Sequence, residues 1–340
     1  MVRRFLMKLF PDAYLKLARA KWEFTSTKDI FLSEYRSMSH YTNTHFNCNI
    51  FSLLVSYIFH GSTPLEYVCL GFERLKYRAR KEYVTRRRNR KLDKLFNDFE
   101  SNKILCDKCL FNHHFAEFIS RNHISINKDT SEEELCDFYD KLNIKRFVIK
   151  PNDEAYGRGI YVGYTLDDLM ALKHQEGKDY VVEEMLVNEP EIAKLNSSSL
   201  NTFRVVTCID HGGEVHIITI ILRTGCKGSV IDNLMGGGTC YHIDSETGVI
   251  DSLGRDALGN YYLKHPSSNY VMPGFKISRI NDIKEFAKSL AKKLPNARYV
   301  GWDIALTPDG IEVIEGNVRP STELVQCNNV GLFEKIRVLY

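Results

Sequence analysis

Two short apolar runs near the carboxyl end of the chain lie on either side of a tight-turn signal. The first covers residues 299–306, the second covers residues 311–314, and Pro308-Asp309-Gly310 stands in the gap between them. An Asp-Gly pair between two alternating segments is typical of a β-hairpin. The sequence therefore predicts two antiparallel strands joined by a tight turn, a local element that the rest of the fold has to accommodate.

Three side chains with oxygen atoms are expected on one face of this hairpin. Because successive side chains of a strand alternate between faces, pairing across the turn brings Asp303 near Glu315 and Asn317. Two carboxylates and an amide are donors that suit Mg²⁺ or Mn²⁺. Asp303 also stands between apolar neighbours, so it lies near a core, where an unpaired carboxylate is costly. A solvated hairpin face, on which acidic residues are ordinary, is the alternative.

Length and composition limit the classes of protein to consider. The chain has 340 residues, which favours two or three lobes over a single core. A net charge of +3 is too small to indicate bulk nucleic-acid binding. The nine cysteines are scattered and odd in number, and residues 1–10 predict a short amphipathic helix rather than a secretory signal. We therefore expect a protein of the reducing cytoplasm.

Residues 1–103 predict a mainly helical region with one strongly basic segment. Residues 74–92 contain ten Lys or Arg and one acid. A solvated helix face is one interpretation. A surface for anionic ligands, such as lipid headgroups or a lipid-diphosphate carrier, is the other. The segment lacks a nucleic-acid recognition motif, so we expect no nucleic acid as a partner.

A predicted strand that ends in Lys150 is followed by a loop that contains Gly157, Arg158 and Gly159. A glycine loop lets backbone N–H groups approach phosphate, and the lysine adds a positive charge. A plain hairpin loop is the alternative, because a lone Gly-x-Gly lacks the strand-to-helix setting of a P-loop. The segment is therefore a candidate phosphate site and no more.

Charged residues also stand in later strands. Glu183 and Glu184 lie at the end of a strand predicted over 180–186, where they could accept hydrogen bonds from a base amine or a ribose, or could be exposed edge residues. Arg204 lies among apolar neighbours, and a buried guanidinium needs an anionic partner. Arg223 precedes a glycine-rich stretch, which suggests a mobile loop at a ligand.

In this order the motifs resemble the ATP-grasp superfamily over residues 104–325, and more closely its sugar-transfer-associated branch. The branch-specific matches are Asn201-Thr202-x-Arg204, Arg223 with the loop through Asp232-Asn233 to Gly237-Gly238, Gly301-Trp302-Asp303, and Pro64-Leu65-Glu66-Tyr67 with the basic segment. The resemblance implies an α+β fold in which two lobes clasp ATP, at 104–186 and 187–340, after the mainly helical region 1–103. In the best-known ligases of the superfamily, an α/β domain usually precedes the two lobes, where this chain has its helical region.

Carried over by position, the resemblance implies a nucleotide site. Its residues would be Lys108 and Lys150 on the phosphates, Gly157, Arg158 and Gly159 above them, Glu183, Glu184, Met185 and Leu186 at the adenine, and Glu191 at the ribose.

The resemblance also implies a metal site and a reaction centre. Mg²⁺ or Mn²⁺ would bind Asp303, Glu315 and Asn317, Arg204 and Arg223 would act with Lys150 on the transferred phosphate, and the substrate contacts would be Asp232, Asn233, Gly237, Arg319 and Ser321.

The activity implied is an ATP-dependent carboxylate–amine ligase that works through an acylphosphate. Its substrates would be a small acid and an amine, or a glycan precursor for a cell-surface polysaccharide such as a capsule. A phosphotransferase acting on a hydroxyl, and a nucleotide-binding scaffold for a glycosyltransferase, are the alternatives. Residues 74–92 could place the protein at the inner face of the membrane.

Overall fold

The computed structural model describes residues 50–143, 145–152, 159–173, 175, 178–226, 228–229, 232, 234–257 and 259–340. The amphipathic helix predicted at 1–10 lies outside these residues, as do Gly157, Arg158 and Asn233. Within the described ranges, no helix has the length and the apolar character needed to cross a bilayer.

Helices dominate the described part of the N-terminal region, as predicted. They are α1 (Ile50–Val55), a π-helical turn (Ser56–His60), α2 (Pro64–Cys69), a 3-10 turn (Ala79–Glu82) and α3 (Arg86–Phe96). Helix α2 starts with proline at its first turn and a capping box in which the Thr63 side chain accepts from the Glu66 N–H. The sequence therefore sets the start of this helix locally.

The basic segment contains arginines that are used within the fold and cations that are exposed to solvent. Arg87 donates to the carbonyl oxygens of Tyr57 at 2.5 Å and Ile58 at 3.0 Å. Arg88 donates to the Tyr83 carbonyl at 2.6 Å and lies over the Phe333 ring. These arginines satisfy backbone groups within the fold, whereas Arg74, Lys76 and Arg78 are the solvent-exposed cations near the start of the segment.

A four-stranded antiparallel sheet follows, with the order β1-β4-β2-β3. Its strands are β1 (His123–Ile126), β2 (Phe147–Pro151), β3 (Tyr161–Gly163) and β4 (Tyr180–Glu184). Helices α6 (Glu132–Lys141) and α7 (Leu166–Lys173) contribute Leu135, Phe138, Leu169 and Leu172 to its core. Ser131 and Glu134 form the predicted capping box at the start of α6. We call this unit the first lobe.

Two short helices, α4 (Phe99–Cys106) and α5 (Lys108–His114), precede the first sheet. The Asp107 side chain caps α5, as its position predicts, by accepting from the Leu110 N–H at 2.9 Å. The sequence after Asp107 predicts a helix that continues to Asn122, but the helix ends at His114 and a 3-10 turn covers Ala116–Phe118. That break places the fully buried Phe115 ring against Trp302, with ring centroids 5.4 Å apart.

A seven-stranded antiparallel sheet forms the second lobe, with the order β11-β10-β5-β6-β7-β8-β9. Its strands are β5 (Thr202–Ile209), β6 (Val215–Thr224), β7 (Thr239–Ile243), β8 (Gly254–Arg255), β9 (Tyr261–Tyr262), β10 (Tyr299–Thr307) and β11 (Gly310–Val318). The helical elements of this part of the chain are α8 (Pro190–Ala193), a 3-10 turn (Leu234–Gly236), α9 (Ile280–Lys293), α10 (Thr322–Val325) and α11 (Phe333–Arg337).

Both faces of the second sheet are covered, which explains why every residue of β5 is buried. Val205 belongs to a core that includes Ile283 and Leu290 of α9. Its neighbour Val206 belongs to a separate core with Leu92 of α3. The N-terminal helices and α9 therefore enclose the same sheet from opposite sides.

The predicted hairpin is present as β10 and β11. Asp303 lies opposite Glu315, and Ile304 lies opposite Val313, so Ile314 forms a bulge between the two pairs. Glu312 pairs with Ala305 on the turn side of the bulge, and the bulge then turns Glu315 to the same face, opposite Asp303. The bulge brings two glutamates three positions apart in the sequence to one face of the strand, which strict alternation would not do.

Candidate active site

Asp303 is the centre of a group of charged side chains on three neighbouring strands. Arg204 of β5 donates through Nε to Oδ1 and through Nη2 to Oδ2 of Asp303, the second at 2.8 Å. Arg223 of β6 donates through Nη1 to the same Oδ2 at 2.5 Å. Burial alone would raise the pKa of Asp303, but the two guanidinium groups hold that pKa well below its ordinary value. Asp303 is therefore an ionised acid, and Arg204 has the anionic partner that the sequence required.

Glu315 and Asn317 lie beside Asp303. The Asn317 Nδ2 group donates to Glu315 Oε1 at 3.1 Å. Water reaches the Glu315 side chain, yet the protein packed around its carboxyl and the charge of Asp303 both raise its pKa. Two adjacent carboxyl groups favour the uptake of a proton or a cation between them. The structure thus brings the three predicted metal ligands together.

Asp232 joins the group from the glycine-rich loop. Arg223 donates through Nη2 to its Oδ1 at 2.9 Å, and the Thr202 hydroxyl donates to its other oxygen. Burial raises the pKa of Asp232, and Arg223 opposes that shift. Gly237, from the end of the same loop, has a φ of +90° and lies near Cys226 rather than in this group.

We call Asp303, Glu315, Asp232, Arg204 and Arg223 the carboxylate cluster. It contains three acidic and two basic side chains, so it carries an excess of negative charge when all five are ionised. With the amide oxygen of Asn317, the donors are all oxygen atoms. This set fits a divalent cation such as Mg²⁺, which takes few protein ligands and leaves coordination positions for phosphate.

The two lysines of the predicted nucleotide site both have partners on the first sheet. Lys108 donates through Nζ to the carbonyl oxygens of Pro151 at 2.7 Å and Asn152 at 3.2 Å, where β2 ends. Lys150 forms an ion pair with Glu183 of β4, which lies opposite Val148. Both lysines are therefore beside β2, the strand that precedes the glycine loop.

The carboxylates of Glu183 and Glu184 are engaged by protein donors. Arg121 donates to Glu183 Oε1 at 2.8 Å, in addition to the Lys150 contact. Glu184 accepts from the Asn143 N–H at 2.9 Å and from Asn122 Nδ2 at 2.8 Å. The strand ends at Glu184, before Met185 and Leu186. The N–H groups of Glu184 and Met185 are also used within the fold, on the carbonyl oxygens of Asn122 at 2.8 Å and Arg146 at 3.1 Å. Both carboxylates are therefore occupied by protein donors.

A second group of charged side chains, which was not predicted from the sequence, joins the two sheets. Arg121 reaches Glu183 of β4 and also Glu312 of β11, at 3.1 Å, and its side chain is 1% exposed. We call Arg121, Lys150, Glu183 and Glu312 the bridging cluster. Burial would raise the pKa of Glu183, but Arg121 and Lys150 hold it well below its ordinary value. The sequence signal that could have predicted this group is Glu312, an acidic residue inside the apolar run 311–314.

Three predicted contacts lie apart from the carboxylate cluster. Glu191 accepts from the Ser278 hydroxyl at 2.5 Å. Arg319 lies 3.5 Å from Asp93 through its Nε atom, and Ser321 donates to Glu323 at 3.0 Å.

The residue between Arg319 and Ser321 approaches the carboxylate cluster closely. A Cβ atom at Gly301 would lie 2.9 Å from Pro320 and 3.0 Å from the Arg204 side chain. The absence of that atom lets Pro320 pack beside Arg204, so the chain after β11 borders the candidate site.

Comparison with known proteins places the chain in a family. The family model described as sugar-transfer associated ATP-grasp matches residues 87–339, more than half of the chain. No functionally curated protein gives a significant match.

Solved structures were also compared. An ATP-grasp ligase, PsnB, complexed with a minimal precursor is 14% identical, with 72% of this chain and 63% of that chain covered and a TM-score of 0.44. An ADP complex of N5-carboxyaminoimidazole ribonucleotide synthetase is 13% identical, with 65% and 46% covered and a TM-score of 0.42. The D-alanine-D-alanine ligase from Coxiella burnetii is 9% identical, with 70% and 58% covered and a TM-score of 0.42. The chain thus spans less than two thirds of each of these structures. On the family match, which extends from α3 to the last helix, the chain belongs to the sugar-transfer-associated ATP-grasp family.

Proposed function

We propose that this protein is an ATP-dependent carboxylate–amine ligase. The observation that carries the proposal is the pair of adjacent carboxyl groups, Asp303 and Glu315, with Asn317 beside them and an excess of acid around them. A divalent cation that accompanies ATP would neutralise that excess. Family membership supports the same conclusion.

Asp303, Glu315 and Asn317 would hold Mg²⁺ or Mn²⁺, which supplies charge neutralisation for the ATP phosphates when it is bound. Arg204 and Arg223 fix the orientation of the Asp303 carboxylate through three hydrogen bonds. Each Asp303 oxygen has two acceptor positions, so the carboxylate can take a cation in addition to its three arginine bonds. The Glu315 carboxyl, which also hydrogen-bonds to Asp303, would then turn to the same cation.

Lys108 and Lys150 would hold the phosphates. Lys150 must then exchange its Glu183 contact for a phosphate oxygen. The buried Glu183 carboxylate is not left unpaired by that exchange, because it keeps its ion pair with Arg121. The loop that contains Gly157, Arg158 and Gly159 would cover the phosphates and exclude water from a hydrolysable intermediate.

The reaction would proceed in two transfers. A substrate carboxylate oxygen attacks the γ-phosphorus, the bond to the bridging oxygen breaks, and ADP leaves with that electron pair. The amine then attacks the carbonyl carbon of the acylphosphate, inorganic phosphate departs, and the amine proton passes to solvent. Arg223, a member of the carboxylate cluster, would stabilise charge on the transferred group.

The substrate class and setting follow from the family description and from the surface. A sugar-transfer association favours an acid or amine carried on a glycan precursor of a cell-surface polysaccharide, handled in the cytoplasm. The exposed cations Arg74, Lys76 and Arg78 would favour an anionic carrier, the inner face of a membrane or a glycosyltransferase partner. Asp232, Asn233, Gly237, Arg319 and Ser321 are the residues proposed for substrate contact.

Product analysis tests the reaction type. ADP release would be screened against paired sugar acids and amines, and the products identified by mass spectrometry. A ligase requires both acceptors and yields ADP, free phosphate and a new amide. A phosphorylated hydroxyl formed from a single acceptor would establish phosphotransfer instead, and nucleotide binding without turnover of any pair would favour a scaffold.

A further inference from the structure

A buried glutamate outside the carboxylate cluster shares a contact with a second acid. Glu66 of α2 is 2% exposed, and its Oε2 atom accepts from the Thr63 N–H at 2.8 Å. Its Oε1 atom contacts the Thr322 hydroxyl. The same hydroxyl oxygen lies 3.0 Å from Glu323 Oε2. Two carboxyl groups on different parts of the chain therefore meet at one hydroxyl.

The number of protons shared by Glu66, Thr322 and Glu323 decides whether both contacts of the hydroxyl are hydrogen bonds. A threonine hydroxyl carries one proton and can donate it to one carboxylate only. The second contact becomes a hydrogen bond only when the other carboxyl brings a proton of its own. Glu66 is the buried member, whereas Glu323 is half-buried, so desolvation favours the proton on Glu66.

The surroundings of Glu66 agree with that assignment. Burial and the charge of Glu323 raise the pKa of Glu66 to about 8, although the Thr322 hydroxyl and the N–H groups of Thr63 and Arg86 oppose the shift. The neighbouring Cys69 thiol is neutral, because burial raises its pKa to about 12. Arg255 and Asp256, which also act on Cys69, contribute charges of opposite sign.

Thr322 belongs to the chain that leaves the candidate metal strand. Segment 319–323 begins two residues after Asn317, and the N-terminal helices hold it at several points. Asn89 of α3 donates to the Pro320 carbonyl at 2.7 Å. The side chain of Gln326, just beyond the segment, donates to the Val84 carbonyl at 2.9 Å and accepts from the Val84 N–H at 2.9 Å.

We propose that Glu66 is a positioning residue for segment 319–323, and that it acts in its protonated form, through a proton shared with Glu323 by way of the Thr322 hydroxyl. Loss of that proton places two carboxylates on one hydroxyl and loosens the segment. That this segment borders the acceptor site rests on the proposed function. The shared proton itself rests only on the contacts of Glu66, Thr322 and Glu323.

Hydrogen exchange of the backbone amides of residues 319–326 tests the proposal. Rates would be corrected for the intrinsic pH dependence and measured on the full chain at pH 6 and pH 8. In the wild type, the opening equilibrium constant of this segment should rise at least about tenfold over that interval, because the folded state has to give up its bound proton. Glu66→Gln keeps a neutral hydrogen-bonding group and should remove the rise, whereas Glu66→Ala should open the segment at both pH values.

Two controls isolate the effect. Glu134→Gln alters the equivalent capping-box position of α6, where the glutamate is exposed, and should leave exchange at 319–326 unchanged. Amides of β10 should not respond in the Glu66 variants. Equal protection of the wild-type segment at both pH values, or a Glu66→Gln variant as open as Glu66→Ala, would overturn the proposal. Calorimetry with Mg²⁺ and ADP on Glu66→Gln measures nucleotide binding separately from the opening of the segment. A failure of the ligase proposal is therefore not mistaken for a failure of this one.

Discussion

The bridging cluster and the carboxylate cluster are both buried groups of charged side chains, but their charges balance differently. The bridging cluster contains two basic and two acidic side chains, and Arg121 contacts both acids. The carboxylate cluster contains two arginines and three acids, and its Glu315 reaches water. The balanced charges of the bridging cluster can hold the two sheets together without a ligand. In the carboxylate cluster, none of the described residues gives Glu315 a cation of its own beside the ionised Asp303, so a metal ion can bind between the two carboxyl groups. The difference separates a structural site from a candidate binding site.

Removing the central cation of the bridging cluster should have the largest effect. Arg121→Ala leaves the carboxylates of Glu183 and Glu312 buried without their shared partner and should lower the free energy of unfolding by about 3–5 kcal/mol, measured by urea denaturation.

The matched control for that variant is Arg279→Ala. Arg279 pairs with Glu189 and Asp282 at the surface, and its side chain is 34% exposed, so its loss should cost less than about 1 kcal/mol. Similar losses for the two variants would remove the structural role assigned to the bridging cluster.

Ligand addition should stabilise the protein through the carboxylate cluster. Mg²⁺ together with ADP at about 100 times its dissociation constant should raise the free energy of unfolding by about 2.7 kcal/mol. Chelation of the metal should reverse most of that gain. The measurement is thermal unfolding with ADP alone, with Mg²⁺ and ADP, and with EDTA added; a gain that survives EDTA would show that the acids do not hold a cation.

The pH dependence of stability should have opposite signs in the two clusters. Glu183 has a lowered pKa in the folded state, so it stabilises the fold above its unfolded pKa and loses that contribution as the pH falls toward the lowered value. Glu315 has a raised pKa, so its stabilising contribution is complete below the unfolded pKa and is lost as the pH rises above it.

Substitutions reveal this sign difference. Between pH 5 and pH 8, Glu183→Gln should be less stable than the wild type throughout, whereas Glu315→Gln should become the more stable chain as the pH rises. The gain from Glu315→Gln should stay below about 1 kcal/mol, because water screens an exposed carboxyl. Denaturant unfolding at several pH values measures both. A deficit of Glu183→Gln that changes between pH 5 and pH 8, or a stability difference of Glu315→Gln that does not change over that interval, would contradict the charge assignment.

Local rules were sufficient to predict the hairpin and the nearness of Asp303, Glu315 and Asn317 on it. The turn signal at 308–310 fixes the pairing from Leu306 with Ile311 to Ile304 with Val313. A short hairpin keeps Asp303 near Glu315, but the bulge at Ile314 is what sets the two opposite each other. The capping residues Asp107 and Ser131 also form the predicted helix starts, since a cap depends on one turn of chain.

Long-range contacts were not predictable in the same way. Arg121 meets Glu312 across 191 positions, and nothing in the neighbourhood of either residue specifies the other. The bulge at Ile314 depends on how β10 and β11 fit against their neighbours, so counting from the turn alone would set Ile314, rather than Glu315, opposite Asp303. Arg87 likewise contacts carbonyl oxygens about 30 residues earlier, and Arg88 lies over the Phe333 ring of a separate helix. Charge counting cannot predict either contact.

The most direct test of the carboxylate cluster is a calorimetric titration with ADP in the presence and absence of Mg²⁺, on the wild type and on Asp303→Asn, with Glu134→Gln as a surface control. The wild type and the control should bind ADP at least about tenfold more tightly with Mg²⁺, because the metal joins the acids to the phosphates. Asp303→Asn should remain folded by circular dichroism and lose that metal dependence. An unaltered metal dependence in Asp303→Asn, or none in the wild type, would contradict the assignment of Asp303, Glu315 and Asn317 to a cation that accompanies the nucleotide.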